Sequence, residues 1–512
     1  MNSKNKVMKR HILYIFLSAA LLSGTTGCKK YYEPSTAKSE KDALNTPEDV
    51  ESATIGTYAV LKDPEYVRSI HFLSEFPSDD VAQGQTSSDD LSNCYRYTHL
   101  VDGTHATNVW MQSYSVINAA NKVIAFVADN QSDALNQLKG ECLYLRSMMY
   151  FNLARIFGRP YPQNGGAGNA VPLVLEDTKE EFPKRNTVKE VYDQVINDLL
   201  KAATLMTEEK NNNFASREVA YALLCRVYLY MEDNDKAIAY ADKVISSGRY
   251  SLLRGADYQH YFRGVPEDND ETIFCIRHMT TENRDFSAIG SMYYSEDGQG
   301  VTGWGEIYAS RQYVNLLDEH PEDIRHSFIS PYTTTGTLEY PYSIPVTTIR
   351  YNTRLNPNTP MYYVNKYNYQ EGLVNLSSPV YLRLAEIILN RAEANAKKGN
   401  LQAALDDVNA IRQRAGLSGN ALYTLASVNA SGRTVLDVVL EERQLELAFE
   451  GHRIYDLYRN NRPLKRDYPG THSLNNTPST NITQTIPPID NRVIFFIPNR
   501  EILINQNLTQ NP

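Results

Sequence analysis

The stretch ALLCRVYLYMEDNDKAIAYADKVISSGRY, from Ala222 to Tyr250, decides the fold class. Ser216 sits one turn ahead of it as an N-cap, and the spacing predicts a helix to about Met231. A second helix is predicted from about Asp235 to Ser247, with Gly248 as its C-terminal stop. Tyr221, Leu224, Cys225, Tyr228 and Ala237 fall where a tetratricopeptide-type hairpin places a bulky aromatic, a leucine, a small residue, a tyrosine and an alanine. Small residues let two helices approach closely, and the large ones fill the groove beside them. A second hairpin of the same kind is expected from Tyr381 to Gly399 and from Leu401 to Ala415, with Ala392, Ala404, Val408 and Ile411 in matching places. The two lie too far apart to be tandem repeats, so both are expected in one helical side.

Outward from these hairpins, further helices follow from apolar stripes. Thr46, Pro47, Glu48 and Asp49 open one that carries Val50, Ala53, Thr57, Tyr58 and Leu61. Trp110, Tyr114, Ile117, Asn121 and Ile124 mark another, with Trp110 read as core, and Leu135 to Ile156 a third. Thr187 and Glu190 form a capping box. A charged helix is expected from Thr434 to about Arg459, on which Glu450, Arg453 and Asp456 would form an i,i+3 ion-pair ladder. Residues 62–105 and 249–375 read as loop-rich inserts, 421–431 as a linker and 463–512 as an irregular tail. Long irregular segments often carry function, which directs the search for a ligand to the inserts.

The N-terminus is a separate matter. Lys4, Lys6, Lys9 and Arg10 precede an apolar run from Ile12 to Leu22, and small residues lead to Cys28. This reads as a secretory signal over residues 1–27, too short for the ~20 residues of a spanning helix. Cys28 then looks like a lipobox cysteine, acylated as the first residue of the mature chain, with 28–45 as a tether. The domain expectation is 46–248 as an N-terminal helical region and 249–512 as a C-terminal region, packed as one unit.

The whole chain has 512 residues, 51 Lys+Arg and 60 Asp+Glu, 42% hydrophobic residues and a mean hydropathy of −0.45. Loss of residues 1–27 removes four cations and no acid, leaving 47 against 60 and a charge of −13. Such a chain buries a large core and is no nucleic-acid binder by composition. Its 36 Tyr suit half-wet surfaces and helix packing. No nucleotide-loop, zinc-protease, serine-hydrolase or paired CxxC motif occurs, so neither a cofactor nor a metal is expected. Of the cysteines, Cys94, Cys142, Cys225 and Cys275 remain beside Cys28, and nothing in their spacing demands a disulfide.

Five runs resemble the SusD/RagB family of outer-membrane nutrient-binding lipoproteins of Bacteroidetes. They are LYLRSMMYFNLARIFG (143–158), the opening stretch (222–250), YLRLAEIILNRAEA (381–394), EERQLELAFEGHRIYDLYR (441–459) and IPNREILINQNLTQNP (497–512). The departures are Thr25 in the lipobox, and Lys29 and Lys30 where the family often has acids. The resemblance implies a mostly α fold, SusD-like, with tetratricopeptide-like hairpins as scaffold and loop-rich inserts on the other side. It implies a non-enzymatic, lipid-anchored protein of the cell outer membrane, facing outward, that captures oligosaccharides. As a lid it would deliver them to a SusC-like TonB-dependent transporter. A peptide-binding, RagB-like role is the alternative; a glycoside hydrolase or a pure protein scaffold are the readings from other classes.

The motifs belong to the scaffold, so ligand residues must come from the inserts. An aromatic platform with nearby polar groups is the expected form of a sugar site. The run SMYYSEDGQGVTGWGEIY (291–308) offers Tyr293, Tyr294 and Trp304, and the earlier insert offers Asp79, Asp80, Tyr95 and Tyr97. Gly303 and Gly305 leave the Trp304 indole unshielded, and the alternative for this ring is a place in the core beneath the loops.

Overall fold

The computed structural model describes residues 44–83, 90–176, 182–293, 303–330, 336–338, 344–346, 350–351, 360–466 and 485–512. The chain divides into a stretch ending at Asp49 and one compact unit, Val50–Pro512. The helices are α1 Pro47–Leu61, α2 Pro64–Glu75, α3 Asp90–Arg96, α4 Thr104–Phe126, α5 Asp133–Phe157, α6 Val188–Leu205, α7 Arg217–Tyr230 and α8 Asn234–Ile245. After the short α9 (Gly255–Gln259), α10 (Gly290–Tyr293) and α11 (Arg311–Leu317) come α12 Leu384–Lys398, α13 Leu401–Arg414, α14 Leu425–Ala430, α15 Val435–Leu447, α16 Arg453–Arg459 and α17 Asn499–Ile504. The fold is mostly helical.

Side-chain caps set many of the helix starts by satisfying amides that have no partner within the helix. Ser216 Oγ accepts from Val219 N, Asp233 from Lys236 N, and Thr187 with Glu190 closes the capping box of α6. Gly399 ends α12 at φ +84°, a left-handed conformation that costs glycine little. The two hairpins, α7–α8 and α12–α13, pack together: α12 lies against α7, α8 and α15. Buried Leu384, Ala385, Ile388, Leu389 and Ile411 meet Ile245 and Tyr250 there. Ala237, Ala241, Ala392 and Ala404 are fully buried, as close helix approach requires. Trp110 is core, edge-on to Phe157 at 5.2 Å. Cys94, Cys142, Cys225 and Cys275 are buried and not joined in disulfides.

Strands are short and paired two by two. The pair that matters is antiparallel β1 (Val81–Gln83) with β3 (Ile307–Ala309), because it joins the two inserts. In chain order β2 is Thr272–Cys275, and β4 (Val380–Arg383) pairs with it.

Several elements differ from the sequence reading. Residues 62–105 hold two helices. Asp63 caps α2, whose buried residues mix Tyr66, Val67, Phe72 and Leu73 with Ser69, His71, Ser74 and Glu75. Residues 421–431 contain α14, launched by a Thr424 cap, and Tyr381 belongs to β4 rather than to α12. The expected helix from Thr434 to Arg459 is two. The chain breaks after Leu447, where Ala448 turns extended and Phe449 and Gly451 take φ of +68° and +74°.

That break dissolves the expected ladder. Glu450 pairs with Arg383 and Lys366, Arg453 with Asp79, and Asp456 with Arg443 and Arg459. Glu446 receives Arg383 at 2.5 Å, Arg414, and the Tyr258 hydroxyl at 2.9 Å. Burial pushes its carboxyl up, but Arg414, Arg383 and Arg325 outweigh that and hold it well below the usual carboxylate range. Glu442 likewise joins Arg325 and Arg412, and Glu393 joins Arg459 and Arg443. The charged run is therefore the ionic interior of the C-terminal half.

Candidate functional site

Trp304 follows the buried Gly303 and precedes Gly305, whose φ of +56° turns the chain back toward β3. The amides of Trp304 and Gly305 both donate to the Ser291 carbonyl of α10, at 2.6 and 2.9 Å. Ser291 Oγ lies 2.7 Å from the Phe286 carbonyl and 2.9 Å from that of Ala288, and the indole Nε1 donates to the Phe286 carbonyl at 3.1 Å. The ring is thus held by its own N–H and by the backbone behind it. It is nevertheless 56% exposed, and Phe286, edge-on to it at 5.4 Å, is 39% exposed. An indole in the core would be covered; this one is a fixed, solvent-facing surface.

The loop that carries Phe286 also lines a cavity of about 20 Å³ formed with Arg68 of α2, His278, Asn283, Arg284, Ser287 and Ser377. His278 Nδ1 faces the Ser377 carbonyl at 3.1 Å, so that nitrogen carries the proton and Nε2 is an acceptor. Burial lowers the His278 pKa and keeps the ring neutral. At the edge of the loop Lys62 and Glu282 form an ion pair at 3.0 Å.

The other sequence candidates lie inside. Tyr293 is fully buried, stacked on Tyr367 and bonded to His71 Nε2 at 2.7 Å. Asp79 is held by Arg453, and its carbonyl accepts from Ser310 Oγ. Asp80 accepts from Gln444 Nε2 at 2.7 Å; burial, and then Asp79, push its carboxyl up to about 7. Tyr95 lies under the Arg466 guanidinium, and the Tyr97 hydroxyl meets that of Tyr458 at 2.6 Å. The expectation that Tyr293, Asp79, Asp80, Tyr95 and Tyr97 offer surface contacts is corrected by their burial: they join the inserts to the scaffold. Tyr294 and Cys28 lie outside the described residues. Phe286, Arg68 and Arg284 escaped the sequence reading. The run NRDF (283–286) carries an aromatic between polar residues in an irregular insert, the one signal that could have found it.

Among the described residues no group of three His, Cys, Asp or Glu is placed to hold a metal, and no helix is long and apolar enough to cross a membrane.

Comparisons with known proteins agree across the chain. A family model described as SusD family matches residues 270–512, and one described as starch-binding associating with outer membrane matches residues 30–229. SusD-like protein P2 of Formosa agariphila is 25% identical over 468 residues, covering 86% of this chain and 89% of that protein. Among solved structures, a SusD superfamily protein from Bacteroides thetaiotaomicron superposes with a TM-score of 0.76 at 28% identity, covering 91% of this chain and all of that one. A putative sugar binding protein from Bacteroides vulgatus gives 0.76 at 27%, covering 92% and 99%. With both halves matched in order and the helical architecture shared, the chain belongs to the SusD/RagB family of non-catalytic, outer-membrane-associated binding proteins.

Proposed function

We propose that this protein is a lipid-anchored cell-surface binding protein that captures oligosaccharides on the Trp304–Phe286 shelf and passes them to a SusC-like TonB-dependent transporter. The observation that carries the ligand role is the exposed indole, immobilised by Nε1 and backbone hydrogen bonds yet uncovered on its face. A pre-organised ring loses little freedom when a sugar stacks on it, and polar groups in the adjoining cavity supply orientation. The family description of starch binding and the sugar-binding relative support a saccharide as the ligand class. The anchor rests on Cys28 behind its apolar leader, and two or more acyl chains suffice for stable attachment. The transporter would meet the protein over an interface above ~2,000 Å².

The test is calorimetric titration of the mature chain with an oligosaccharide panel and a peptide panel, beside Trp304→Ala. Saccharide binding lost in the variant supports the reading. Peptide binding alone, or wild-type saccharide affinity in the variant, overturns it. Cys28→Ala should release the protein from membranes, and retention there would remove the anchor.

A further inference from the structure

Two arginines beside the shelf differ from those in the interior. Arg226, Arg325, Arg383, Arg414, Arg443 and Arg459 each meet a carboxylate. Arg68 and Arg284 meet none among the described residues, and both line the cavity behind Phe286. Arg68 lies with its guanidinium 5.5 Å from the Phe72 ring, and its buried Nε has no hydrogen-bond partner. A buried donor left without a partner is costly, which marks a place where a ligand group would be gained at once. Nearby acids do not fill this role: Glu282 is taken by Lys62, and Asp285 accepts from the Asn283 amide at 3.1 Å.

His278 adds the complementary chemistry. Its Nε2, an acceptor, is also buried without a partner and lines the same cavity. The cavity lining thus holds two cationic donors, one neutral acceptor and the Glu282 carboxylate already paired with Lys62, and the two donors with the acceptor match an anionic group beside a hydroxyl. A volume of about 20 Å³ holds one small polar group rather than a sugar ring. The ring must stay outside, where Trp304 and Phe286 lie.

We infer that the shelf takes an acidic sugar, with the ring on Trp304 and its carboxylate or sulfate substituent received by Arg68 and Arg284. A hydroxyl next to the anionic group donates to His278 Nε2. The inference rests on the shelf being a sugar site and adds the charge of the ligand. Arginine suits the task because its planar fork binds both oxygens of a carboxylate or sulfate with charge-assisted hydrogen bonds.

The experiment titrates the mature chain at low ionic strength with uronate oligosaccharides, each beside its methyl ester, and with sulfated oligosaccharides beside their desulfated forms. At least one acidic member should bind ~10-fold or more tightly than its neutral counterpart, with the difference shrinking as salt is raised. The double variant Arg68→Gln/Arg284→Gln should erase that preference while leaving neutral binding in place, and Trp304→Ala should weaken both forms. Equal affinity for acidic and neutral forms, or absence of any acidic binder, overturns the inference and leaves the shelf standing. Acidic binding that survives Trp304→Ala but not the arginine variant overturns the shelf and the inference together. So does binding of acidic peptides in place of any saccharide.

Discussion

The run Glu441–Arg459 and the loop Glu282–Ile289 with Trp304 treat the same residue types in opposite ways. In the first, Glu442, Arg443, Glu446, Asp456 and Arg459 are all buried, and each is matched to an opposite charge. In the second, Arg284 meets no carboxylate among the described residues, and the rings of Phe286 and Trp304 face water. The first run carries the family resemblance and the second has no motif. A buried ion pair ties both partners to fixed geometry, and removing one member leaves the other uncompensated, so such a run tolerates little change. A ligand shelf is free to differ between proteins that share the scaffold. What identifies the fold is therefore a poor guide to what is bound.

The contrast can be broken from either side. Glu446→Ala should cost about 3–5 kcal/mol, because Arg383, Arg414 and Arg325 would keep their charges in the interior with one acid fewer. Urea denaturation measures it, and a near-neutral result would mean that the network is redundant. Trp304→Ala should instead lower saccharide affinity by about 2 kcal/mol or more, while stability changes by no more than about 1 kcal/mol. A large drop in melting temperature would place the indole with the scaffold.

Gly290 links the two regions. A Cβ there would come within 2.1 Å of the Tyr367 carbonyl oxygen, so α10 must shift, and with it the Ser291 carbonyl that holds Trp304. Gly290→Ala should cost about 1–3 kcal/mol in stability and weaken binding as well. Full saccharide affinity in that variant would separate the shelf from α10.

A further test concerns pH. Asp80 keeps its proton up to about pH 7 when folded but only to about 4 when unfolded. The folded state then binds more protons, so this group's contribution is full below pH 4 and is lost as pH rises toward 7. Asp80→Asn should flatten the stability profile in that window, by up to about 4 kcal/mol across the full shift. Glu386 acts in a different window: burial raises its pKa, Arg226 more than offsets this, and at about 2 its contribution is lost only as pH falls below about 4.5. Denaturation at a series of pH values separates the two, and an unchanged slope in Asp80→Asn would remove Asp80 as its source.

Much of the scaffold was legible in the sequence, because helix period and capping are local. Ser216, Thr187 with Glu190, and the alanines at 237, 392 and 404 announce starts and close approaches within a few residues of themselves. Helix α2 is harder to read because it is buried on several sides with polar residues among the apolar ones, and the partners of those polar residues come from distant parts of the chain: Ser74 reaches Tyr455, Glu75 accepts from the Gly451 amide, and His71 bonds Tyr293. The proposed site was legible only at Trp304, where two glycines flank an aromatic in an insert. Asp79, Asp80, Tyr95, Tyr97 and Tyr293 carry the same residue types as a ligand site, and composition cannot tell a hydroxyl that bonds Tyr458 from one that bonds a sugar.

By itself, then, the sequence determined the helical hairpins and the family, both of which depend on spacing along the chain. Tertiary structure alone decided that Glu446 meets Arg383 and Arg414, that β1 pairs with β3 across the two inserts, that Phe286 lies beside Trp304, and that Arg68 and Arg284 line one cavity. Burial and charge pairing are properties of neighbours in space. For these residues the neighbours come from segments far apart in the chain, and no local pattern encodes them.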